Sequence, residues 1–484
     1  MWTDREFTGE ADIPEPFKLT RPRDYAKFLF GPGIVALGLG IGTGEVISGP
    51  YLVVKHGPMI LWIALVSMLL QTVTSISSSK YTILTGEPVQ LGINRLWIGK
   101  KTWTVLWTVF RTIQLMWPYY MALVGSTLAA MIIGVPPGPE QRLLWSILSV
   151  VGVIICTAPL LIGGKVLTTL ARMFFWTNFV FLIPLFFILA LLYVPGDIWW
   201  QGFKGFFTFG YIPEEADWLA MAAVAGYAGL TSYSGLLISN YYRDAEWGMA
   251  KKIGFISTLV GGKKVAFLVK GFMPKISPEN IRRAKKWYKY LHMELWIVFF
   301  LFSILTMWFP CILYYKFVPV EAAIEPGFGF AAVLAKYMSG VLGAAWWVVL
   351  IALFFVFWPD GTGLIDSLLR ELTNIIWNSF PGLYKRCKGD VRPLYYATLA
   401  VFTAVWLGMI AAGTKPLIMV LLAGAFANLS GVLYVIGLLG VNYTLLPKEY
   451  RFSKIEVVVT CFAIGFYGFF FTNFALHQFF GIGL

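Results

Sequence analysis

Residues 31–57 read GPGIVALGLGIGTGEVISGPYLVVKHG, an apolar stretch that glycine interrupts at short intervals. Its length suits a membrane span, because roughly 20 apolar residues cross the hydrocarbon core of a bilayer. Glycines occupy alternate positions from Gly38 to Gly44, and each destabilises a helix by about 0.5–1 kcal/mol relative to alanine. The stretch therefore predicts a transmembrane helix that unwinds near its middle, with the freed backbone facing protein or a wet cavity.

An acidic residue, Glu45, directly follows these glycines. A carboxylate near mid-membrane costs on the order of 2.5–3.5 kcal/mol or more, so we expect it to meet a cation, a proton or a partner. In the alternative interpretation, the glycines serve tight helix packing and Glu45 is protonated or hydrogen-bonded in a structural role.

The composition is that of a membrane protein. Of the 484 residues, 58% are hydrophobic and 13% are charged, whereas soluble domains contain about 25% charged residues. Four cysteines lie far apart without a CxxC pair, which indicates neither a disulfide framework nor a cysteine metal site. The N-terminus has acidic residues where a signal peptide has basic ones, so we expect it to stay in the cytoplasm.

Eleven stretches are long and apolar enough to cross a membrane, and we number them as spans 1 to 11. They lie near 31–55, 58–79, 103–134, 143–162, 168–194, 218–240, 293–317, 341–368, 394–413, 416–446 and 455–479. With the N-terminus inside, 31 of the 38 lysine and arginine residues fall on the cytoplasmic side. We therefore predict a cytoplasmic N-terminus and an external C-terminus in the plasma membrane. The net charge of +13 then reflects sidedness and anionic lipid rather than nucleic acid.

Five segments follow from this topology. They are the cytoplasmic N-terminal segment 1–30, spans 1 to 6 in 31–240, a basic cytoplasmic loop and helix in 241–292, spans 7 to 10 in 293–446, and the last span with the external C-terminus in 455–484. Within the loop, Ser277 and Pro278 open a helix with five basic residues. These residues suit a cytoplasmic membrane surface, although a solvated connector has the same pattern.

Span 6 carries a second interruption, AVAGYAGLTSYSGLLISNYY at residues 223–242. Hydroxyl-bearing residues lie here between glycines and can supply oxygen ligands where a helix unwinds. In the alternative interpretation, these small residues serve helix packing. Interrupted segments at corresponding positions of two halves point to an inverted-repeat transporter. Five spans plus five, with one appended, give the eleven counted.

Span 8 contains WPDGTGLIDSLLRE at residues 358–371. We expect Pro359 and Gly361 to weaken this helix and Asp360 to be a second intramembrane carboxylate; a structural hydrogen bond from Asp360 to freed backbone is the alternative. Arg111 in span 3 is expected to snorkel to the cytoplasmic surface, and Asn428 in span 10 to hydrogen-bond between helices.

Several motifs together resemble the Nramp (natural resistance-associated macrophage protein) family of divalent metal transporters. They are GPG at Gly31–Gly33, the broken span 1, KHGPMILWIALVSMLLQTVTSISSSKYTILTGEP, VGSTLAAMIIGVP, and LLAGAFANLSGVLYVIGLLGVNYTLLPKEYR. Residues 248–276 look like an insertion. The resemblance implies an all-α polytopic membrane protein of the APC superfamily, with a LeuT-type 5+5 inverted repeat, broken helices 1 and 6, and one extra helix.

The metal site of that family is not preserved. Its Asp-Pro-Gly-Asn falls on 42–45, where only Gly44 matches, and its Met-Pro-His falls on Leu230, Thr231 and Ser232. If a metal is bound, we expect Glu45, Thr231 and Asp360 as ligands. Oxygen ligands favour a hard ion such as Mg²⁺ over Mn²⁺ or Fe²⁺.

The sequence thus predicts a secondary active transporter for a small cation, with Glu45 as the candidate group for proton linkage. The expected substrate or ion site comprises Gly42, Thr43, Gly44, Glu45, Tyr227, Gly229, Leu230, Thr231, Ser232 and Asp360. Alternatives are a small organic solute, received by tyrosines such as Tyr119, Tyr227 and Tyr233, and a non-transporting homologue. With three dispersed histidines, no HExxH and no P-loop, we expect no enzyme and no cofactor. The expected partners are the lipid bilayer and the small substrate, and the oligomeric state stays open.

Overall fold

The computed structural model describes residues 7–25, 31–161, 166–255, 270–324 and 328–481. Within these ranges, ten helices are long and apolar enough to cross a membrane. The eleventh predicted crossing, span 6, is divided into the helices Trp218–Tyr227 and Ser234–Asp244. Span 1 is divided as well, into Pro32–Gly40 and Gly49–His56, with a π-helical turn at Gly44–Ser48 between them.

The remaining spans have the following bounds. Span 2 is Trp62–Thr85, span 3 is Lys100–Leu115 with Tyr119–Ile133, span 4 is Arg142–Leu161, and span 5 is Val166–Phe174, Phe175–Leu182 and Ile183–Tyr193. Span 7 is Pro278–Glu294, Leu295–Leu301 and Phe302–Phe317, span 8 is Ala345–Ser379, span 9 is Arg392–Ala412, span 10 is Pro416–Thr444, and span 11 is Lys454–Phe480. Short helices lie between them at Val89–Ile93, Gly196–Phe206, Val320–Ile324, Val333–Ser339 and Pro381–Arg386.

Spans 1 and 6 lie at the centre of the bundle. All residues in the most apolar 18-residue segment of span 1 are buried. In the corresponding segments of spans 4, 5, 9 and 11, about one-third of the residues or fewer are buried. Span 6 packs on spans 2 and 10, and span 3 packs on spans 4 and 8. Large apolar side chains project outward from the outer spans, such as Leu143, Ile154 and Ile455. The peripheral helices therefore face lipid, and the two interrupted helices are shielded from it.

Span 8 differs from its sequence-based prediction. It runs as one helix from Ala345 to Ser379, although we expected Pro359 and Gly361 to weaken it. A proline inside a membrane helix is tolerated where neighbouring helices support the freed backbone. Spans 3 and 4 pack directly against this helix and provide that support.

The N-terminal segment is held on one end of the bundle. Glu10–Ala11 pairs in parallel with Met273–Pro274, the two strands of the described residues. The predicted helix start is confirmed, because the Ser277 side chain accepts a hydrogen bond from the Asn280 N–H. Part of the predicted insertion thus joins this small sheet, and its residues 256–269 lie outside the described residues, as do 1–6, 26–30 and 482–484 at predicted segment ends.

Candidate functional site

The interruption of span 1 falls where the alternating glycines predicted it. The first helix ends at Gly40, and Ile41 has φ −75° and ψ 61°, outside the helical region. The Gly42 N–H donates a hydrogen bond to the Gly40 carbonyl at 2.7 Å, two residues back instead of four. The regular pattern of helical hydrogen bonds is therefore broken here. The helix resumes with the π-helical turn at Gly44–Ser48, and its first residues are fully buried.

The interruption of span 6 lies opposite that of span 1. Residues 228–233 leave the helix, and Gly229 has φ +90°, a conformation in which side chains other than glycine are strained. The Ser232 N–H donates across the gap to the Gly226 carbonyl at 2.9 Å. The Asn428 amide of span 10 donates to the Ala222 carbonyl at 2.7 Å, which is the predicted hydrogen bond between helices.

Glu45 connects the two interruptions. Its Oε1 accepts a hydrogen bond from the Gly229 N–H at 2.8 Å, and its Oε2 accepts one from the Gly42 N–H at 3.4 Å. The residue is fully buried, and it forms no ion pair within the described part of the chain. Glu45 thus acts as a hydrogen-bond acceptor for both unwound segments at once.

Gln71 of span 2, which sequence analysis missed, holds the same interruption from the other side. Its Nε2 donates to the Ala228 carbonyl at 2.5 Å, and its Oε1 accepts from the Leu230 N–H at 2.8 Å. Three successive residues of the interruption are therefore hydrogen-bonded by side chains from other spans. The available signal was that Gln71 is the one amide side chain in the helix Trp62–Thr85.

Asp360 approaches span 1 from span 8. The Tyr120 hydroxyl donates to its Oδ2 at 2.5 Å and accepts from the Thr43 N–H at 3.3 Å. A Cβ atom on Gly42 would overlap both the Asp360 carboxylate and this hydroxyl, so only glycine allows the approach. The Asp360 Oδ1 is buried without a hydrogen-bond partner among the described residues. Glu45 and Asp360 consequently flank the same glycine.

A small cavity of about 10 Å³ separates the interruptions, at the lower limit for a single water molecule. Its lining consists of Leu39, Gly40, Thr43, Gly44, Tyr119, Tyr120, Tyr227, Leu230, Thr231 and Leu364. Of the predicted site, Thr43, Gly44, Tyr227, Leu230 and Thr231 are thus in the wall. The Thr231 Oγ1 is buried without a hydrogen-bond partner among the described residues. The site is in a closed conformation.

The other predicted site residues lie outside this lining. Gly42, Glu45 and Gly229 form the hydrogen-bonded junction beside it, and Asp360 lies behind Tyr120. Ser232 points away, since its Oγ donates to the Ala427 carbonyl of span 10 at 2.6 Å. The described ranges contain no group of three or more His, Cys, Asp or Glu side chains that could hold a metal ion. A cation bound to Glu45 would have to displace the hydrogen bonds that its two oxygens now accept, whereas the Asp360 Oδ1 accepts none among the described residues.

Below the cavity, Arg111 corrects the expectation that its side chain snorkels. It is completely buried, and its Nε lies 2.8 Å from the Glu371 Oε2 of span 8. Its guanidinium carbon also lies 3.9 Å from the centroid of the Tyr233 ring, in the span 6 interruption. Packing of spans 3, 6 and 8 around Arg111 leaves the guanidinium no route to the surface, so it pairs with an acid instead.

A second buried ion cluster joins spans 6, 8 and 9. Arg370 lies 2.8 Å from the Asp366 carboxylate and also pairs with Asp244. Tyr241 and Tyr395 donate to Asp366 at 3.0 and 2.7 Å. Together with the Arg111–Glu371 pair, this cluster lies toward the end of the bundle that the charge distribution predicts to be cytoplasmic.

At the opposite end, Lys55 and Asp217 connect the end of span 1 to the start of span 6. The Lys55 Nζ lies 2.6 Å from the Asp217 Oδ2, and the Tyr51 hydroxyl donates to the same oxygen at 3.2 Å. The Asp217 Oδ1 caps the span 6 helix by accepting from the Ala220 N–H at 3.0 Å. Buried or partly buried charged pairs therefore lie toward both ends of the bundle.

Comparison with known proteins identifies the architecture. No protein-family model and no curated protein matches the chain. Its structure is similar to that of an Eremococcus coleocola manganese transporter mutant, E129A, with a TM-score of 0.61 and 14% identity, covering 97% of this chain and 92% of the other. The same transporter in complex with an aromatic bis-isothiourea compound gives a TM-score of 0.62 with 14% identity, at 99% and 92% coverage.

A second transporter shares the architecture. Mhp1, of the nucleobase-cation-symport-1 family, gives a TM-score of 0.53 with 13% identity, at 92% coverage of both chains. The chain has the fold of these transporters. The predicted all-α polytopic architecture, with its broken spans 1 and 6, is confirmed, and so is the Nramp-like, LeuT-type resemblance at the level of the fold. Both of these proteins are named as transporters. At 13–14% identity, the similarity shows a shared fold and nothing further.

Proposed function

We propose that the protein is a secondary active transporter that moves a small cation through the gap between the interruptions of spans 1 and 6. The observation that carries the proposal is the pair Glu45 and Asp360. Both carboxylates are almost completely buried, they flank the same Gly42, and neither forms an ion pair within the described ranges. The shared fold with two transporters supports the general class.

The electrostatics of this pair favour a cation or protons as ligands. An ionised carboxylate without a positive partner is strongly disfavoured in a buried site. Glu45 and Asp360 are therefore stable either protonated or with a cation between them. Their oxygen atoms, with the Thr231 hydroxyl and freed backbone carbonyls, form a donor set for a hard divalent ion such as Mg²⁺. Proton release on cation entry would couple the two fluxes, with Glu45 as the coupling group.

Transport requires that the cavity open to each side in turn. We propose that the bundle containing spans 1 and 6 rocks against a scaffold of spans 3, 4, 8 and 9. Opening at the end that is predicted to be cytoplasmic would separate Asp244 of span 6 from Arg370 of span 8, and Tyr233 of span 6 from Arg111 of span 3. Both contacts join the moving bundle to the scaffold, which makes them natural closing contacts.

A small organic solute is the second candidate. Tyr119, Tyr120 and Tyr227 supply much of the cavity wall, and the Tyr119 and Tyr227 hydroxyls lie 3.2 Å apart. Aromatic walls with a few placed hydroxyl groups are typical of sites for uncharged or weakly polar ligands. A homologue without transport activity is a third candidate, which the replaced family metal motif leaves open.

Uptake by purified protein in liposomes tests these candidates. We would screen Mg²⁺, Mn²⁺ and Ca²⁺ with an internal pH reporter, comparing wild type with Glu45→Gln and Asp360→Asn. Exposed residues provide matched controls, Glu140→Gln and Asp197→Asn. We expect uptake of a divalent cation that both site variants abolish and both controls retain. Unchanged kinetics and pH dependence in Glu45→Gln would exclude its assigned role. Absence of cation flux through folded protein would favour the organic solute first and loss of transport second.

A further inference from the structure

The helix Pro278–Glu294 has two faces with different environments. It continues without a gap into the membrane-spanning part of span 7. Its apolar face is fully used within the protein, since Trp287 and Leu291 are buried and the Trp287 indole donates to the Pro14 carbonyl at 2.9 Å. Phe17 of the N-terminal segment packs against Trp287, with ring centroids 5.2 Å apart. The N-terminal segment therefore already covers this face of the helix.

The opposite face carries three lysines without an acidic partner. Lys285 and Lys289 are exposed, Lys286 is partly exposed, and none forms an ion pair with a described residue. The neighbouring arginines differ, because Arg282 and Arg283 are both paired with Glu15 and Glu279. We call Lys285, Lys286 and Lys289 the lysine stripe.

The exposed face of this helix changes from basic to apolar between Lys289 and Met293. Continuing at four-residue intervals from Lys285 and Lys289, it reaches Met293, Ile297 and Leu301. Ile297 and Leu301 are 51% and 48% exposed, so this face meets lipid tails within the membrane. At 1.5 Å per residue, Lys289 lies only about 6 Å along the helix from Met293. The polar layer of a bilayer leaflet is about 5–8 Å thick, so the lysine stripe lies at the depth of the headgroups.

We propose that the lysine stripe binds the headgroups of anionic phospholipids. The unpaired ammonium groups complement the negative phosphates of such lipids, and the apolar continuation at Ile297 and Leu301 contacts their acyl chains. Exposed basic residues next to a membrane-spanning helix are attracted to anionic leaflets for this reason. Lipid bound here would support the helix on whose other face the N-terminal segment is fixed.

The melting temperature of purified protein tests this proposal without any transport assay. Phosphatidylglycerol and phosphatidylcholine would be titrated into detergent micelles of wild type and of the triple variant Lys285→Gln, Lys286→Gln and Lys289→Gln. A matched triple variant carries Lys204→Gln, Lys336→Gln and Lys415→Gln, two exposed lysines and one partly exposed lysine remote from the stripe in sequence.

We expect phosphatidylglycerol to raise the melting temperature of wild type and of the matched variant more than phosphatidylcholine does. The stripe variant should require about tenfold or more phosphatidylglycerol for the same rise, since each lysine contributes to attraction at the headgroup level. An equal response of stripe variant and wild type would overturn the proposal. Equal stabilisation by inorganic phosphate would also overturn it, because the site would then bind a free anion. Either result is independent of whether the protein transports a cation.

Discussion

The Glu45 Oε1 accepts a hydrogen bond from the Gly229 N–H at 2.8 Å, so a side chain from one interrupted span completes the backbone of the other. Without this acceptor, the Gly229 N–H would lie in a closed and almost dry interior. Glu45 therefore has two roles. Its side-chain oxygen accepts a hydrogen bond, which needs no charge, and its carboxylate can bind a proton or a cation, which needs one. Substitutions can separate them.

Glu45→Gln and Glu45→Ala should differ in stability but not in transport. Glutamine keeps an acceptor for the Gly229 N–H, whereas alanine leaves that buried group unsatisfied at a cost of about 1–3 kcal/mol. We expect Glu45→Ala to melt at a clearly lower temperature than Glu45→Gln, while both fail to transport. Thermal unfolding in detergent and liposome uptake measure the two effects. Equal melting temperatures would show that the Gly229 contact contributes nothing to stability.

Gln71→Leu should weaken the same region from the side of span 2. Leucine retains the apolar volume but leaves the Ala228 carbonyl and the Leu230 N–H without partners, each at a cost of about 1–3 kcal/mol. We expect a lower melting temperature and a raised KM for substrate, since Leu230 is in the cavity wall. Gln478→Leu, at an exposed position, is the control. A stability loss with unaltered KM would restrict Gln71 to a structural role.

Arg111 and Glu371 should show strong coupling in a double-mutant cycle. Removing one partner of a buried ion pair costs about 3–5 kcal/mol, because the other charge is left uncompensated. Arg111→Met and Glu371→Leu should each lower the melting temperature strongly, and the double variant should recover most of the loss. Additive losses in the double variant would contradict a direct interaction.

The contact between Lys55 and Asp217 should make stability depend on acid. Burial raises the pKa of Asp217, but hydrogen bonds from Lys55 and the Ala220 N–H lower it by more, so the pKa is below its ordinary value. For a depressed pKa, the stabilisation is complete above the ordinary carboxyl pKa of about 4 and is lost as the pH falls through the lower pKa of the folded protein.

Asp217→Asn should therefore melt below wild type at about pH 6, with a difference that shrinks toward about pH 3. Melting temperatures over that range, with Glu214→Gln as an exposed control, check this expectation. A difference that is constant with pH would contradict a stabilising role for the charge of Asp217.

Much of the fold could be predicted because its determinants are local. The lengths of the apolar stretches predicted the spans. The glycines around Gly42 in span 1 and around Gly229 in span 6 predicted the two interruptions. Ser277 and Pro278 marked a helix start in the same way. Span 8 departed from prediction at Pro359, because support by neighbouring helices is a property of the packed bundle and not of the local sequence.

The site was less predictable, since it depends on which side chains meet. Gln71 lies within the continuous helix of span 2 and Tyr120 just after the break in span 3, and nothing local to either residue indicates that it reaches the backbone of span 6 or span 1. Arg111 was expected at the surface because its acidic partner, Glu371, is 260 positions away in sequence. Contacts of this range are set by the packing of whole helices.

The support of the span 6 interruption by Glu45 and Gln71 has a consequence for how such proteins diversify. The shape of the unwound segment is maintained from outside, by residues that do not line the cavity. Side chains that do line it, such as Leu230 and Thr231, can be exchanged without redesigning the backbone that presents them. The ligand that such a cavity accepts can then change while the backbone around it stays the same.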